Sequence, residues 1–110
     1  MIDKFGTIRL SAFNTTIKWF VGSFDSFIKK YRLENSELEN DCLGLMFPYN
    51  GQYFIYACGE DIYNTIPHEV VHAIARMAES RDILFDETNH EMIAYLVGYV
   101  SGKILDKINS

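Results

Sequence analysis

Polar and apolar residues alternate at the start of the chain. Between Phe5 and Phe13, Ile8, Leu10 and Ala12 interleave with Thr7, Arg9 and Ser11. A period of two predicts a strand with one wet face. The period then changes. Phe20, Phe24, Phe27 and Tyr31 recur at i, i+4, i+7 and i+11, widened by Ile17, Val21 and Ile28, while Lys18, Asp25, Lys29 and Lys30 face away. That spacing predicts an amphipathic helix with an aromatic core face, capped by Asn14, Thr15 or Thr16.

Leu33 to Asp41 carries four acids in nine residues and reads as a solvated loop. It has no glycine and no EF-hand pattern, so calcium is the weaker reading. Two apolar runs follow, Cys42 to Phe47 and Gln52 to Cys58, joined by Pro48, Tyr49, Asn50 and Gly51. Asn-Gly is the preferred pair for a two-residue type I′ turn. In that register Met46 faces Ile55 and Leu43 faces Cys58, so Cys42 and Cys58 point to opposite faces; a three-residue loop would bring the two thiols together. Both runs are apolar on both faces, as in a sheet interior.

A helix is expected from about Thr65, its N-cap, to about Ser80, with Pro67 in the first turn where a missing N–H costs nothing. A last helix is expected from roughly Thr88 to Lys107, capped by Asp86 or Thr88. Three helices and about three strands, one pair of them a hairpin, make an α+β domain over residues 1–110.

The chain has 110 residues, 48% of them hydrophobic and 15% aromatic, enough for one core and against intrinsic disorder. Its net charge is −5, and its bases cluster only at Lys29, Lys30 and Arg32. A nucleic-acid partner is therefore not expected. No apolar leader opens the sequence, and Met92 to Gly102, the uncharged stretch of the last helix, is eleven residues, too short to span a bilayer. The expectation is a cytoplasmic protein without a membrane partner. Cys42 and Cys58 lie in no CxxC and read as small buried hydrophobes.

One segment carries chemistry. His68-Glu69-Val70-Val71-His72 is an HExxH motif. Residues at i and i+4 share a helical face, so both imidazoles can reach one metal ion. Glu69 can reach the metal's water without being a ligand and would act as general base. Val70, Val71, Ile74, Met77 and Ala78 form the opposite, apolar face.

A third ligand is sought on the last helix. Glu91, Tyr95, Gly98 and Gly102 form one stripe on a helix otherwise apolar nearly all round. The glycines would admit a close neighbour, and a buried carboxylate there must be paired or bind a metal. The alternative is that Glu91 sits in a wet first turn, favoured by the helix dipole. His90 competes as ligand, but one helix face can present only one of the two, and Glu91 is weighted above it. Glu79, two turns below His72, is a candidate to hold a ligand in place, against an ion pair with Arg76 or Arg81.

Eighteen residues separate His72 from Glu91. In this the sequence resembles the zincin metallopeptidases, specifically gluzincins with the pattern HExxH-x18-E, in a minimal-size bacterial or phage form. The resemblance covers mainly residues 65 to 100; His90 stands where gluzincins usually have Asn, and the aminopeptidase exopeptidase motif is absent. It implies a zincin-like fold with a small sheet, an active-site helix and a C-terminal glutamate helix. It implies Zn2+ held by His68, His72 and Glu91, Glu69 as base and proton shuttle, and a peptide or protein substrate paired to an edge strand. Tyr95 would stabilise an oxyanion, although a packed core tyrosine is the commoner role. The competing expectation is a non-catalytic binding protein on the same fold, with or without metal. Oligomeric state is not legible in the sequence.

Overall fold

The computed structural model describes residues 3–33, 43–84 and 86–110. It is a small α+β arrangement of a four-stranded mixed sheet and three α-helices. The strands are β1 (Lys4–Leu10), β2 (Thr15–Val21), β3 (Gly44–Tyr49) and β4 (Gln52–Ala57), and the helices are α1 (Phe24–Tyr31), α2 (Ile62–Ser80) and α3 (His90–Ile108). The sheet order is β1-β2-β4-β3. β1 and β3 run antiparallel to their neighbours, and β2 and β4 are parallel at the centre.

The first hairpin turns through a short 3-10 segment, Ser11–Phe13, and Asn14 in the left-handed region at φ 49°. Ile8 and Leu10 of β1 are buried between exposed Thr7 and Arg9, as the period of two requires. The residues expected to begin an aromatic helix fold instead as β2. Thr15, Thr16, Ile17 and Val21 are β-branched and pack well on a pleated surface. Gly22, at φ 152°, breaks the strand, and Ser23 caps α1 by accepting from the Ser26 N–H at 3.2 Å. β2 is central, with Thr15, Ile17, Trp19 and Val21 buried on one face and Phe20 on the other; only Thr16 and Lys18 are partly exposed, so its polar alternation is weak.

The predicted aromatic stripe nevertheless meets. Phe20 of β2 joins Phe24 and Phe27 of α1 and Tyr56 of β4 in one cluster on one face of the sheet. Phe27 is fully buried and stacks on Tyr56 with ring centroids 4.9 Å apart. Each such ring pair adds about 0.5–1.5 kcal/mol beyond area burial.

The opposite face holds the main core. Ile17, Trp19 and Ile55 pack against Ile66, Val70, Ile74 and Met77 of α2 and Ile93, Val100 and Ile104 of α3. The two long helices are antiparallel: the Tyr63 hydroxyl near the start of α2 donates to Asn109 just past the end of α3. Asp86 organises the start of α3, its carboxylate accepting from the N–H groups of Thr88 and Asn89 at 3.0 and 3.2 Å.

The β3–β4 hairpin has the expected register. Met46 pairs with Ile55 and Tyr49 with Gln52 across Asn50 and Gly51, at φ 52° and 74°. The Cys58 N–H donates to the Leu43 carbonyl at 2.9 Å. Cys42 and the acidic stretch from 34 to 41 lie outside the described residues, so the placement expected for them does too.

Two helix expectations are corrected. α2 begins at Ile62, three residues before Thr65, because the Asp61 carbonyl already accepts from the Thr65 N–H. Pro67 is thus inside the helix and has no N–H to give the Tyr63 carbonyl. α3 is buried only along Ile93, Leu96, Val100, Ser101 and Ile104; Met92, Tyr95 and Tyr99 are exposed. Among the described residues no helix is long and apolar enough to cross a membrane.

Candidate active site

The HExxH segment lies near the middle of α2, on a helix fixed by its buried face. Val70, Ala73, Ile74 and Met77 are buried completely. That orientation leaves His68 and His72 on the exposed side. Their rings stand edge to face, 4.8 Å apart by centroid, and their Nε2 atoms are 3.3 Å apart. Two nitrogens each about 2.0–2.1 Å from a tetrahedral zinc stand about 3.3 Å apart. The imidazole pair therefore has the spacing of one edge of such a site. The two Nε2 atoms are also within hydrogen-bond distance of each other, with the donor set by the tautomer.

Glu69, between them, turns inward and is only 9% exposed. Its carboxylate lies at an open groove of about 450 Å³ between the start of β3 and the first turns of α2, lined by Leu43, Gly44, Asp61, Asn64, Thr65 and His68. The groove exists because β3 approaches the helix at a glycine: a Cβ on Gly44 would lie 2.3 Å from Thr65 Cγ2. Thr65 is itself held, its hydroxyl donating to the Asp61 carbonyl at 2.9 Å, while the Asn64 amide donates to the Asp61 carboxylate at 2.8 Å.

Burial pushes the Glu69 carboxyl above its ordinary value, and charge on His68 and then His72 pulls it part of the way back. Desolvation dominates because a buried carboxylate has lost its water. Among the described residues no hydrogen bond or ion pair holds this carboxylate, and its oxygens keep contact with the groove. Partly desolvated acids with a raised pKa concentrate at functional sites.

Not every candidate joins the site. Glu91 lies in the first turn of α3 with its side chain 90% exposed and 3.3 Å from His90 Nε2. That is the only ion pair among the described residues. Tyr95 is 70% exposed and stacks on Tyr99, and Gly98 and Gly102 face open space. Glu79 is exposed and meets neither Arg76 nor Arg81 in an ion pair; Arg81 turns to the Phe13 carbonyl and the Ser80 hydroxyl. Among the described residues no group of three or more His, Cys, Asp or Glu is placed to hold a metal.

The reason is a matter of path length. α2 continues eight residues beyond His72, about 12 Å at 1.5 Å per residue. α3 returns antiparallel, so its first turn meets the far end of α2 rather than the histidines. The fit to a metal is accordingly that of two well-placed imidazoles and an adjacent base, without the glutamate.

The sequence singles out none of Gly44, Asp61 and Asn64, and marks Thr65 only as a helix cap. A glycine inside an otherwise apolar strand is the signal that marks a close backbone approach, and Gly44 carries it. No protein-family model, curated protein or solved structure matches this chain.

Proposed function

We propose that this chain is a zinc-dependent peptidase or amide hydrolase in which His68 and His72 hold the ion and Glu69 is the general base. The observation that carries the proposal is the pair of Nε2 atoms at 3.3 Å with the Glu69 carboxylate lining the groove beside them. A zinc-like ion bound there would supply polarisation of a carbonyl and a more acidic attacking water. Glu69 takes the water's proton and returns it to the leaving amine. A carboxyl raised by burial is suited to holding that proton between the two steps. Among the described residues β3 is an outer strand of the sheet, and the start of that edge, at Gly44, lines the groove. An extended peptide added to that edge would bring a scissile carbonyl to Glu69. The helix-beside-edge-strand layout supports the zincin reading.

The test is zinc per chain by elemental analysis on untagged, full-length protein, followed by a peptide-library digest. The expected result is about one zinc, lost in His72→Ala, with hydrolysis abolished and zinc retained in Glu69→Gln. No zinc after add-back overturns the proposal, as does full activity in Glu69→Gln. Glu91→Ala should leave zinc unchanged, because Glu91 stands apart from the histidines.

The outer place of β3 beside the groove favours a second reading, a non-catalytic protein that binds a partner strand along β3. Zinc-independent binding of a peptide without cleavage would select it.

A further inference from the structure

The sheet face opposite α2 is only partly covered. α1 has eight residues, about 12 Å of helix, and its rings cover Phe20 and Tyr56. Beyond its last turn the same face carries Lys18 and Phe54, register partners on β2 and β4, and Tyr49 and Gln52, partners across the β3–β4 hairpin. Lys30, Tyr31 and Arg32 from the end of α1 close the other side. The result is a cavity of about 340 Å³.

Its chemistry is distinct from that of the rest of the chain. The protein has a net charge of −5, yet the described residues lining this cavity include three cations, Lys18, Lys30 and Arg32, and no acid. Lys30 turns its Nζ to the Phe5 ring of β1, 4.1 Å from the centroid, so its charge has a partner outside the cavity. Lys18, on β2, and Arg32, the C-cap of α1, remain as the cations of the lining. Lys18 Nζ lies 5.7 Å from the Tyr31 ring centroid. The walls are aromatic: Tyr31 meets Phe54 edge-on at 5.2 Å, and Tyr49 lies 6.3 Å from Phe54. Asn50 and Gln52 add amide groups at the rim.

Clustered cations select an anion, and phosphate is the anion that Lys and Arg hold best. Aromatic walls select a flat ring. Side-chain amides offer both donor and acceptor to a heterocycle edge. The volume is at the small end for ligand sites, which suits a single nucleotide. A polynucleotide is disfavoured by the acidic chain as a whole. We propose that this cavity binds a phosphate ester bearing a heterocyclic ring, of the nucleoside monophosphate class. The proposal does not rest on the HExxH groove, which belongs to the other face of the sheet.

The test titrates the full chain, with EDTA present, with AMP, adenosine and inorganic phosphate, followed by amide chemical shifts. AMP should saturate, with shifts at Lys18, Tyr31 and Tyr49, and adenosine and phosphate should each bind roughly tenfold more weakly or worse. Lys18→Gln and Arg32→Asn, the latter because Arg32 sits at φ 54° where Asn is tolerated, should each weaken AMP severalfold. His72→Ala should leave it unchanged. Tyr49→Ser, at a partly exposed position, should weaken AMP and leave phosphate as it was, which keeps the test open if a charge variant fails to fold. No saturable AMP binding overturns the proposal. So does phosphate binding as tightly as AMP, or folded charge variants that bind AMP as well as wild type.

Discussion

Gly44 of β3 stands so close to α2 that a Cβ at its position would lie 3.5 Å from Glu69 Oε2, and both residues line the groove. The same Cβ would meet Thr65 Cγ2 at 2.3 Å and the Tyr56 carbonyl oxygen at 3.2 Å. The glycine thus sets how near the edge strand runs to the proposed base.

Gly44→Ala should destabilise the protein by about 1–3 kcal/mol, the usual range for overpacking. The clash is chiefly with one methyl group. Thr65→Ser removes that methyl and keeps the hydroxyl bonded to Asp61, so the double variant should recover most of the loss. Urea denaturation of the four proteins measures this. A double variant no more stable than Gly44→Ala would show that the close approach is not through Thr65.

Glu69→Gln should make the metal-free protein more stable near neutral pH. The folded carboxyl is raised above its unfolded value. Its folding advantage is complete below the unfolded value and is lost as pH rises through the folded one. At neutral pH the wild type therefore bears a buried charge that Gln removes. The gain should shrink as the solution is acidified into the carboxylate range. Chemical denaturation at several pH values checks the trend, and a Gln variant less stable at neutral pH contradicts it.

Tyr31 gives an alkaline counterpart. Its hydroxyl donates to the Trp19 carbonyl at 2.9 Å, and burial pushes its pKa from 10.0 up to about 12. Tyr31→Phe should cost about 1 kcal/mol near neutrality through the lost hydrogen bond. Wild type should then lose ground to the variant as pH rises from 10.0 towards about 12, because the unfolded tyrosine ionises first. The difference in urea midpoint between the two proteins isolates this residue from other groups that titrate there. A constant difference across the window refutes it.

The Asn50-Gly51 turn isolates a backbone effect. Gly51 has φ 74°, and a Cβ there would meet nothing within 4 Å. Gly51→Ala should cost about 1 kcal/mol from the left-handed conformation alone. D-alanine at the same position, introduced by semisynthesis, should be at least as stable as glycine, since it fits the turn and restricts the unfolded chain. Equal losses for both enantiomers would point to a steric cause instead.

Local pattern and tertiary placement separate along the chain. The hairpin register was legible because Asn-Gly determines its own turn, so Met46 opposite Ile55 follows from two residues. The HExxH edge was legible because i and i+4 spacing on a helix is a local property. The stretch from Ile17 to Val21 has helix-like aromatic spacing but folds as a strand, because Phe20 and Val21 are buried on opposite faces of β2 and only Thr16 and Lys18 mark a wetter side. The same aromatic spacing still identified Phe20, Phe24, Phe27 and Tyr31 as neighbours, since burial selects residue type whichever backbone carries it. The eighteen-residue gap to Glu91 was the weakest guide, because a count of residues says nothing about where a helix ends.

By itself, then, the sequence determined the α+β class, the aromatic content of the core, the hairpin and a helix bearing two histidines one turn apart. Each is a short-range consequence of periodicity, turn chemistry or side-chain volume. Only the tertiary structure decided which elements became neighbours. It set β3 at the sheet edge beside Glu69, carried α2 two turns past His72 so that Glu91 faces solvent, and left a cationic hollow beyond the end of α1. Those placements follow from how whole faces pack against one another, and face-to-face packing depends on every element at once.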